Sequence, residues 1–195
     1  MKKLFLLLLL ALSACKSPDM SRSVLHLTTD LGESTCTGWT TNYKGKQVVI
    51  TNKHCIQGGI NAVKIDNEII SLVTIGCATF TDLCMLDGTP LKDKHLVSLN
   101  VSMFHPAPRE KTVVCGYGLG MALTCTQGEY AGTIREFILD VALPAYYTNT
   151  ILPGNSGSPV FDAYGDVVGV AFASGSMVAY RTLAVSLNDL LLFLL

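Results

Sequence analysis

The sequence predicts an all-β protein built as two packed barrels. Between its two apolar ends, the chain is rich in Val, Ile, Thr and Gly, which favour strands and turns over helices. Its apolar stretches are short and are separated by turns that carry glycine, a spacing typical of barrels. At 195 residues, the chain is long enough to bury one large core or two small ones.

The first half contains a predicted hairpin. An aromatic and polar strand from Gly38, a Lys44-Gly45-Lys46 turn and an apolar run ending at Thr51 give this pattern. We expect further strands at residues 62–65, 68–74 and 82–86, so that the first barrel covers about 24–99. Residues 100–111 contain Pro106 and Pro108, and this stretch predicts the connection between the barrels.

The second barrel is predicted over residues 112–184, followed by a C-terminal helix over about 185–195. Its expected strands are 112–117, 123–134, 137–139, 159–161, 167–172 and 177–182, each next to a turn. The helix has Ser186 or Asn188 as its N-cap. Its apolar stretch is too short to span a membrane, so we expect it to pack on a barrel, with contact to a membrane surface as the alternative.

The N-terminus predicts export and lipid anchoring. Lys2 and Lys3 precede an apolar run too short for a transmembrane helix, which is typical of a signal peptide and places it at residues 1–14. The segment ending in Ser13-Ala14-Cys15 resembles the lipobox of bacterial lipoproteins, which implies acylation of Cys15 with fatty acids such as palmitate. Residues 15–23 then form the lipidated cysteine and a polar tether. An ordinary signal peptide with an unmodified cysteine is the alternative.

Charge and cysteine content narrow the function classes. The formal net charge is −1 and basic runs are absent, so nucleic acid is not an expected partner. Setting Cys15 aside, the remaining cysteines of the seven form an even number without a C-x-x-C pair, which suits disulfides in an oxidising compartment better than a metal site. We expect no metal and no cofactor.

The strongest chemical signal is the segment Pro153-Gly154-Asn155-Ser156-Gly157-Ser158-Pro159. A nucleophilic hydroxyl must sit on a tight turn where neighbouring N–H groups converge on the carbonyl oxygen under attack, and glycines permit that backbone. Ser156 is therefore the candidate nucleophile. A surface loop rich in Gly and Ser is the alternative.

Two further segments supply a base and a carboxylate. An apolar strand runs into Asn52-Lys53-His54, and an imidazole suits a base that takes a serine proton and passes it on. Asp82 begins another apolar run and can orient that imidazole. On spacing alone, other acidic residues are rivals, and the other histidines are expected to be structural; these are Asp66, Asp87, Asp93, His26, His95 and His105.

Together, the three segments resemble those of chymotrypsin-like serine proteases, especially bacterial glutamyl endopeptidases and high-temperature-requirement proteases. Subtilisin-like and α/β-hydrolase enzymes use other orders of the three residues. The resemblance implies two six-stranded Greek-key barrels and a triad of His54, Asp82 and Ser156. It also implies an oxyanion hole formed by the N–H groups of Gly154 and Ser156.

The resemblance further implies a disulfide between Cys36 and Cys55, next to the base. For Cys77, Cys84, Cys115 and Cys125 three pairings remain open, and the local choice pairs Cys77 with Cys84 and Cys115 with Cys125.

Specificity is the least determined property. The residue six places before the nucleophile is Asp in trypsin-like relatives and Thr150 here, and the pocket strand lacks the His of glutamyl endopeptidases. A pocket of Thr150, Ala171 and Ala173 favours a small or medium uncharged substrate residue. The predicted function is a lipid-anchored serine endopeptidase acting on proteins or peptides at the periplasmic or extracellular face of a bacterial membrane. The alternatives are a catalytically silent envelope lipoprotein that binds a partner, and an esterase.

Overall fold

In the computed structural model, residues 20–134, 144–174 and 181–195 are described, with the side chains of 173 and 174 excluded. The predicted signal peptide at 1–14, the acylated Cys15 and most of the tether lie outside these residues. So do the predicted strand at 137–139, most of the one at 177–182 and the side chain of Ala173.

The first half is an antiparallel sheet of seven strands. Its strand order is β5-β4-β1-β2-β3-β7-β6. A short helix, α1, follows β3. The elements are β1 Val24–Thr28, β2 Thr35–Tyr43, β3 Lys46–Thr51, α1 Lys53–Gln57, β4 Ala62–Ile65, β5 Glu68–Ser71, β6 Thr74–Cys77 and β7 Cys84–Asp87.

The second half is a closed six-stranded barrel in the order β10-β13-β12-β11-β8-β9. A C-terminal helix, α2, follows it, and the Ser186 hydroxyl caps this helix by accepting from the N–H of Asp189 at 3.3 Å. The elements are β8 Lys111–Gly116, β9 Thr124–Thr133, β10 Ala145–Tyr147, β11 Pro159–Phe161, β12 Val167–Ser174, β13 Thr182–Ser186 and α2 Leu187–Phe193.

The all-β architecture with a C-terminal helix is confirmed, and the second half is the expected six-stranded barrel. The first half differs from the prediction, because it is a half-barrel sheet of seven strands with β5 and β6 at its edges rather than a closed barrel of six. The strand expected at 68–74 ends at Ser71, and a separate strand begins at Thr74. The first of these, β5, pairs with β4, whereas β6 pairs with β7 at the other edge of the sheet.

Strands β1 and β10 were not predicted. Strand β13 shares only Thr182 with the strand expected at 177–182, and it extends into the start of the expected helix. The polar segment with Lys53 and His54, which follows the apolar strand, begins the helix α1.

Three apolar clusters form the core. One lies within the first half and includes Leu27 and Leu86, and a second lies within the closed barrel around Tyr147. The third joins the halves, because it contains both Trp39 of β2 and Phe161 of β11. Each large side chain that is fully buried contributes about 1.5–3 kcal/mol relative to its exposed state. The shared cluster therefore fixes the two halves against each other.

Three disulfides join cysteines that are close in sequence. They pair Cys36 with Cys55, Cys77 with Cys84, and Cys115 with Cys125. The first joins β2 to α1, the second links β6 to β7, and the third links β8 to β9. Two of them therefore flank the segments that carry His54 and Asp82.

Candidate active site

His54 lies in the first turn of α1, directly after the buried strand β3. Asn52 precedes the helix in an extended conformation and is fully buried. The disulfide from Cys55 to Cys36 ties the helix to β2. About a third of the His54 side chain is exposed, so the imidazole is fixed at its base and accessible at its tip.

Asp82 is held against this imidazole by the pairing of β7 with β3, in which Cys84 lies opposite Thr51. One carboxylate oxygen, Oδ2, is 2.7 Å from Nδ1 of His54, and Oδ1 accepts the backbone N–H of His54 at 2.9 Å. Asn52 donates its side-chain amide to the Asp82 carbonyl at 2.9 Å. Because the Asp82 side chain is only 4% exposed, water screens this pair weakly.

The contacts of Asp82 determine the tautomer of His54. A carboxylate oxygen only accepts hydrogen bonds, so the 2.7 Å contact places a proton on Nδ1. The other ring nitrogen, Nε2, is then free to accept a proton. Two of the rival acidic residues have other partners: Asp66 lies 3.6 Å from the ammonium of Lys94, and Asp87 accepts from Thr89.

Ser156 lies on a tight turn between β10 and β11. Gly154 and Gly157 flank it with positive φ values of 96° and 88°. A Cβ at Gly157 would lie 1.9 Å from the carbonyl oxygen of Thr37, so the turn packs directly against β2. The Sγ of Cys55 is 3.9 Å from the carbonyl oxygen of Ser156, which brings α1 and the nucleophile turn together.

The hydroxyl of Ser156 donates to the carbonyl of Phe172 on β12 at 3.2 Å. Among the described residues, it makes no hydrogen bond to His54. Hydrogen bonds between a nucleophile and its base are often long without substrate and tighten when substrate binds.

The turn also presents two amides without partners. Within the described part of the chain, the N–H groups of Gly154 and Ser156 make no hydrogen bond, whereas the intervening Asn155 N–H donates to Leu152 at 3.0 Å. Free N–H groups beside a nucleophile are the arrangement that binds a developing oxyanion. The structure therefore places Asp82 against His54, and it places the turn that carries Gly154 and Ser156 against α1, the helix of His54.

The expected specificity residues have different surroundings. Thr150 is exposed, and Ile151 after it is buried. Ala171 is fully buried in the core of the closed barrel, directly behind the nucleophile turn, where its carbonyl accepts from the N–H of Gly157 at 2.8 Å. It therefore supports the turn from below rather than lining an open surface.

A second histidine, His26, packs against Tyr117 and Thr35, two residues that lie close to Gly154. His26 stacks on Tyr117 with 5.0 Å between ring centroids, and its Nε2 lies 2.8 Å from the hydroxyl of Thr35. Burial lowers the pKa of His26, and nearby Lys64 lowers it further. These contacts fit the structural role expected for this histidine.

One group of metal-ligating residue types occurs among the described residues, formed by Cys36, His54 and Cys55 within 4.8 Å. The two sulfur atoms form a disulfide, and a disulfide cannot supply the thiolates that bind zinc.

Three contributing residues were not identified from sequence as parts of the site: Thr37, Asn52 and Phe172. Asn52 could have been suspected from its position next to the histidine motif. Phe172 contacts the Ser156 turn through its backbone carbonyl, and Thr37 contacts it through both its backbone N–H and its hydroxyl. A single sequence gives no signal for these contacts.

Comparison with known proteins gives a consistent result. The family model for the trypsin-like peptidase domain matches residues 36–170. The serine protease Do-like HtrB of Bacillus subtilis is 30% identical over 135 residues, which cover 64% of this chain and 29% of that protein. Serine protease Do-like HtrA of the same organism is 29% identical over 139 residues, covering 65% and 30% respectively. The chain thus spans less than a third of the length of these relatives.

Solved structures show the same fold. The active form of the Rv3671c protease from M. tuberculosis has a TM-score of 0.73 at 20% identity, with 90% of this chain and 82% of that chain covered. A serine endoprotease from Yersinia pestis has a TM-score of 0.69 at 21% identity, with 89% and 62% covered.

Replacing Asp82→Asn tests the geometry of the pair directly. With one side-chain oxygen retained on the His54 N–H, the new amide nitrogen faces Nδ1 and donates to it, so the imidazole proton moves to Nε2. Nitrogen-15 NMR of the ring should show Nδ1 protonated in the wild type and Nε2 protonated in the variant. The matched control is Asp162→Asn, a buried carboxylate that accepts from Tyr164 and Asp166, which should leave the His54 ring signals unchanged. Identical ring signals in wild type and Asp82→Asn would contradict the assignment.

Proposed function

Because the chain belongs to the trypsin-like peptidase domain family, we propose that it is a serine endopeptidase that hydrolyses peptide bonds through an acyl-enzyme. The observation that carries the proposal is the 2.7 Å contact between Asp82 and His54, next to a turn that exposes Ser156 and two free N–H groups. This combination contains a base, its orienting carboxylate, a nucleophile and an oxyanion site.

The first half of the reaction forms the acyl-enzyme. The Ser156 hydroxyl turns from Phe172 towards His54, and Oγ attacks the substrate carbonyl carbon while Nε2 takes the hydroxyl proton. The carbonyl oxygen becomes an oxyanion and accepts from the N–H groups of Gly154 and Ser156. The imidazolium, stabilised by Asp82, then gives its proton to the leaving amine as the C–N bond breaks.

The second half releases the acid. Water gives a proton to Nε2 and attacks the acyl carbon, and the proton returns to Oγ as the ester bond breaks. Each oxyanion donor contributes about 10²–10³ in kcat, and general base catalysis contributes about 10²–10⁴. No cofactor enters either step.

A fluorophosphonate probe tests the nucleophile. Ser156 Oγ should displace fluoride from phosphorus, and the adduct should be lost in Ser156→Ala. The control Ser71→Ala removes an exposed hydroxyl of the first half, which donates to Asp30, and it should label like the wild type. Absence of labelling in the folded wild type would contradict catalysis and favour the silent, partner-binding lipoprotein.

For substrate preference, we propose a small or medium uncharged residue on the acyl side of the cleaved bond. Thr150 is exposed and carries no charge that could pair with a Lys, Arg or Glu side chain of the substrate, whereas Ala171 is buried and does not line the pocket expected for it. Ala173 is assigned to the same pocket from the sequence resemblance alone.

A peptide library incubated with the enzyme and read by mass spectrometry measures this preference. Cleavage should concentrate after residues such as Ala, Val, Ser or Thr, because a neutral pocket leaves a buried substrate charge unpaired. Dominant cleavage after Lys, Arg or Glu would show the pocket assignment to be wrong. Parallel tests on ester substrates distinguish a peptidase from an esterase.

We also propose that the enzyme is anchored in a bacterial membrane through acylated Cys15. The support is the lipobox-like segment that ends at this residue. Several acyl chains on one residue bind a membrane stably, whereas a single chain binds only marginally. Across the parts of the chain that the structure describes, every helix falls short of the length and apolar character that crossing a bilayer requires.

Expression of the full chain in a bacterium with radiolabelled palmitate tests the anchor. The wild type should carry label and sediment with membranes, whereas Cys15→Ala should do neither. Ser17→Ala, two positions further along the chain, is the control that should behave as the wild type. A Cys15→Ala protein that still incorporates label would rule out this anchor.

A further inference from the structure

Thr37, a fully buried residue on β2, carries no part of the chemistry described above, but it contacts the nucleophile turn at two points. We infer that Thr37 is a positioning residue that holds the oxyanion hole in its binding geometry. The inference rests on the proposed function, because it concerns the transition state of that reaction.

The side chain of Thr37 joins two segments of the second half. Its hydroxyl donates to the carbonyl oxygen of Gly154 at 2.9 Å and accepts the backbone N–H of Tyr117 at 3.0 Å. Gly154 is 117 positions away in the chain, so this is a contact between the halves. The Thr37 hydroxyl therefore donates its hydrogen bond to the turn that carries the Gly154 N–H, the first amide of the oxyanion hole.

The backbone of Thr37 contacts the same turn at Ser156, two residues after Gly154. Its N–H donates to the carbonyl oxygen of Ser156 at 2.8 Å. Its own carbonyl accepts the hydroxyl of Thr51 at 2.8 Å, at the end of the strand that leads to α1. One residue therefore contacts both residues of the oxyanion hole and also the end of β3.

Peptide planarity explains why these carbonyl contacts matter. The N–H of each oxyanion amide lies in the same plane as the carbonyl before it, so fixing the successive planes fixes where the N–H groups point. The carbonyls of Pro153 and Asn155 accept from Leu119 and Ser158, at 2.6 and 2.9 Å. Those of Gly154 and Ser156 accept from Thr37. Every carbonyl from 153 to 156 is therefore held. The two that Thr37 holds lie in the peptide planes on either side of the plane that carries the Ser156 N–H, so Thr37 limits how far that amide can turn.

Thr37 also acts indirectly on the peptide plane between Pro153 and Gly154, which contains the Gly154 N–H. The N–H of Tyr117 that its hydroxyl accepts lies two residues before Leu119, whose own N–H holds the Pro153 carbonyl. Releasing Tyr117 therefore loosens the contact that orients the amide of Gly154.

Gly154 is the point at which the hole can change shape. Its φ of 96° is available to glycine, which moves between positive and negative φ at low cost. A side chain cannot be added there, because a Cβ would lie 2.6 Å from the carbonyl oxygen of Tyr117 and 2.9 Å from a methyl of Thr35. The restraint on this glycine must therefore come from another strand, and the Thr37 hydroxyl supplies it.

The test compares Thr37→Val, Thr37→Ser and the control Thr41→Val in the full-length enzyme, with kcat, KM and the melting temperature measured for each. Valine keeps the branched shape and loses the hydroxyl, so kcat should fall about 10-fold to 100-fold. This decrease is no larger than the one expected when one oxyanion donor is removed. KM should stay within about threefold, because the hole acts on the transition state more than on the bound substrate.

The two comparison variants separate positioning from stability. Thr37→Ser keeps the hydroxyl and should restore kcat to within about threefold of the wild type. Thr41 is a buried threonine on the same strand whose hydroxyl donates to Leu99 at 2.8 Å, away from the turn. Thr41→Val should lower the melting temperature by a similar amount and leave kcat unchanged.

Equal kcat in Thr37→Val and Thr41→Val would overturn the inference, and so would a change confined to KM.

If Thr37→Val does not fold, Thr37→Cys replaces it. The thiol is a weak donor, so its kcat should lie between that of the wild type and the value predicted for the valine variant. A thiol variant with wild-type kcat would equally overturn the inference. A wild type that neither labels with fluorophosphonate nor turns over substrate would refute the proposed function itself, and the inference with it.

Discussion

The hydrogen bond from the Thr37 N–H to the carbonyl of Ser156, at 2.8 Å, is the contact on which the site depends most. The base and its carboxylate belong to the first half of the molecule, and the nucleophile belongs to the second. Neither half contains the whole of the proposed triad. The two halves meet where β2 contacts the turn that carries Ser156, and Gly157 has no Cβ at the point of closest approach.

Other features of the fold help to hold β2 and the turn of Ser156 in contact. The pairing of β3 with β7 carries Asp82 to His54, and the Cys36–Cys55 disulfide ties the helix of the base to the strand that holds the nucleophile turn. On the far side, Ala171 closes the turn through its backbone. The apolar cluster around Trp39 and Phe161 keeps the halves from shifting. Packing, covalent links and hydrogen bonds therefore restrain the same few atoms.

Much of this arrangement could be predicted from the sequence, because chemistry that needs a particular backbone leaves a local pattern. Glycines around Ser156, a polar segment after the apolar run before His54, and an apolar run after Asp82 each mark their residue. The break between β5 and β6 was missed, because the intervening Leu72 and Val73 suit a strand and give no sign that the strands on either side pair with different partners. Thr37 was missed for a related reason: its partners are distant in sequence, and a threonine in a strand is ordinary.

The most direct test of the account is to trap the covalent intermediate. The enzyme is mixed with an activated peptide ester, quenched in acid within the first turnovers and analysed by intact and peptide-level mass spectrometry. The proposed mechanism predicts a mass increase of one acyl group, located on the peptide that contains Ser156 and absent in Ser156→Ala. Turnover of the ester with the acyl group on another residue, or with no adduct under conditions where release limits the rate, would contradict it.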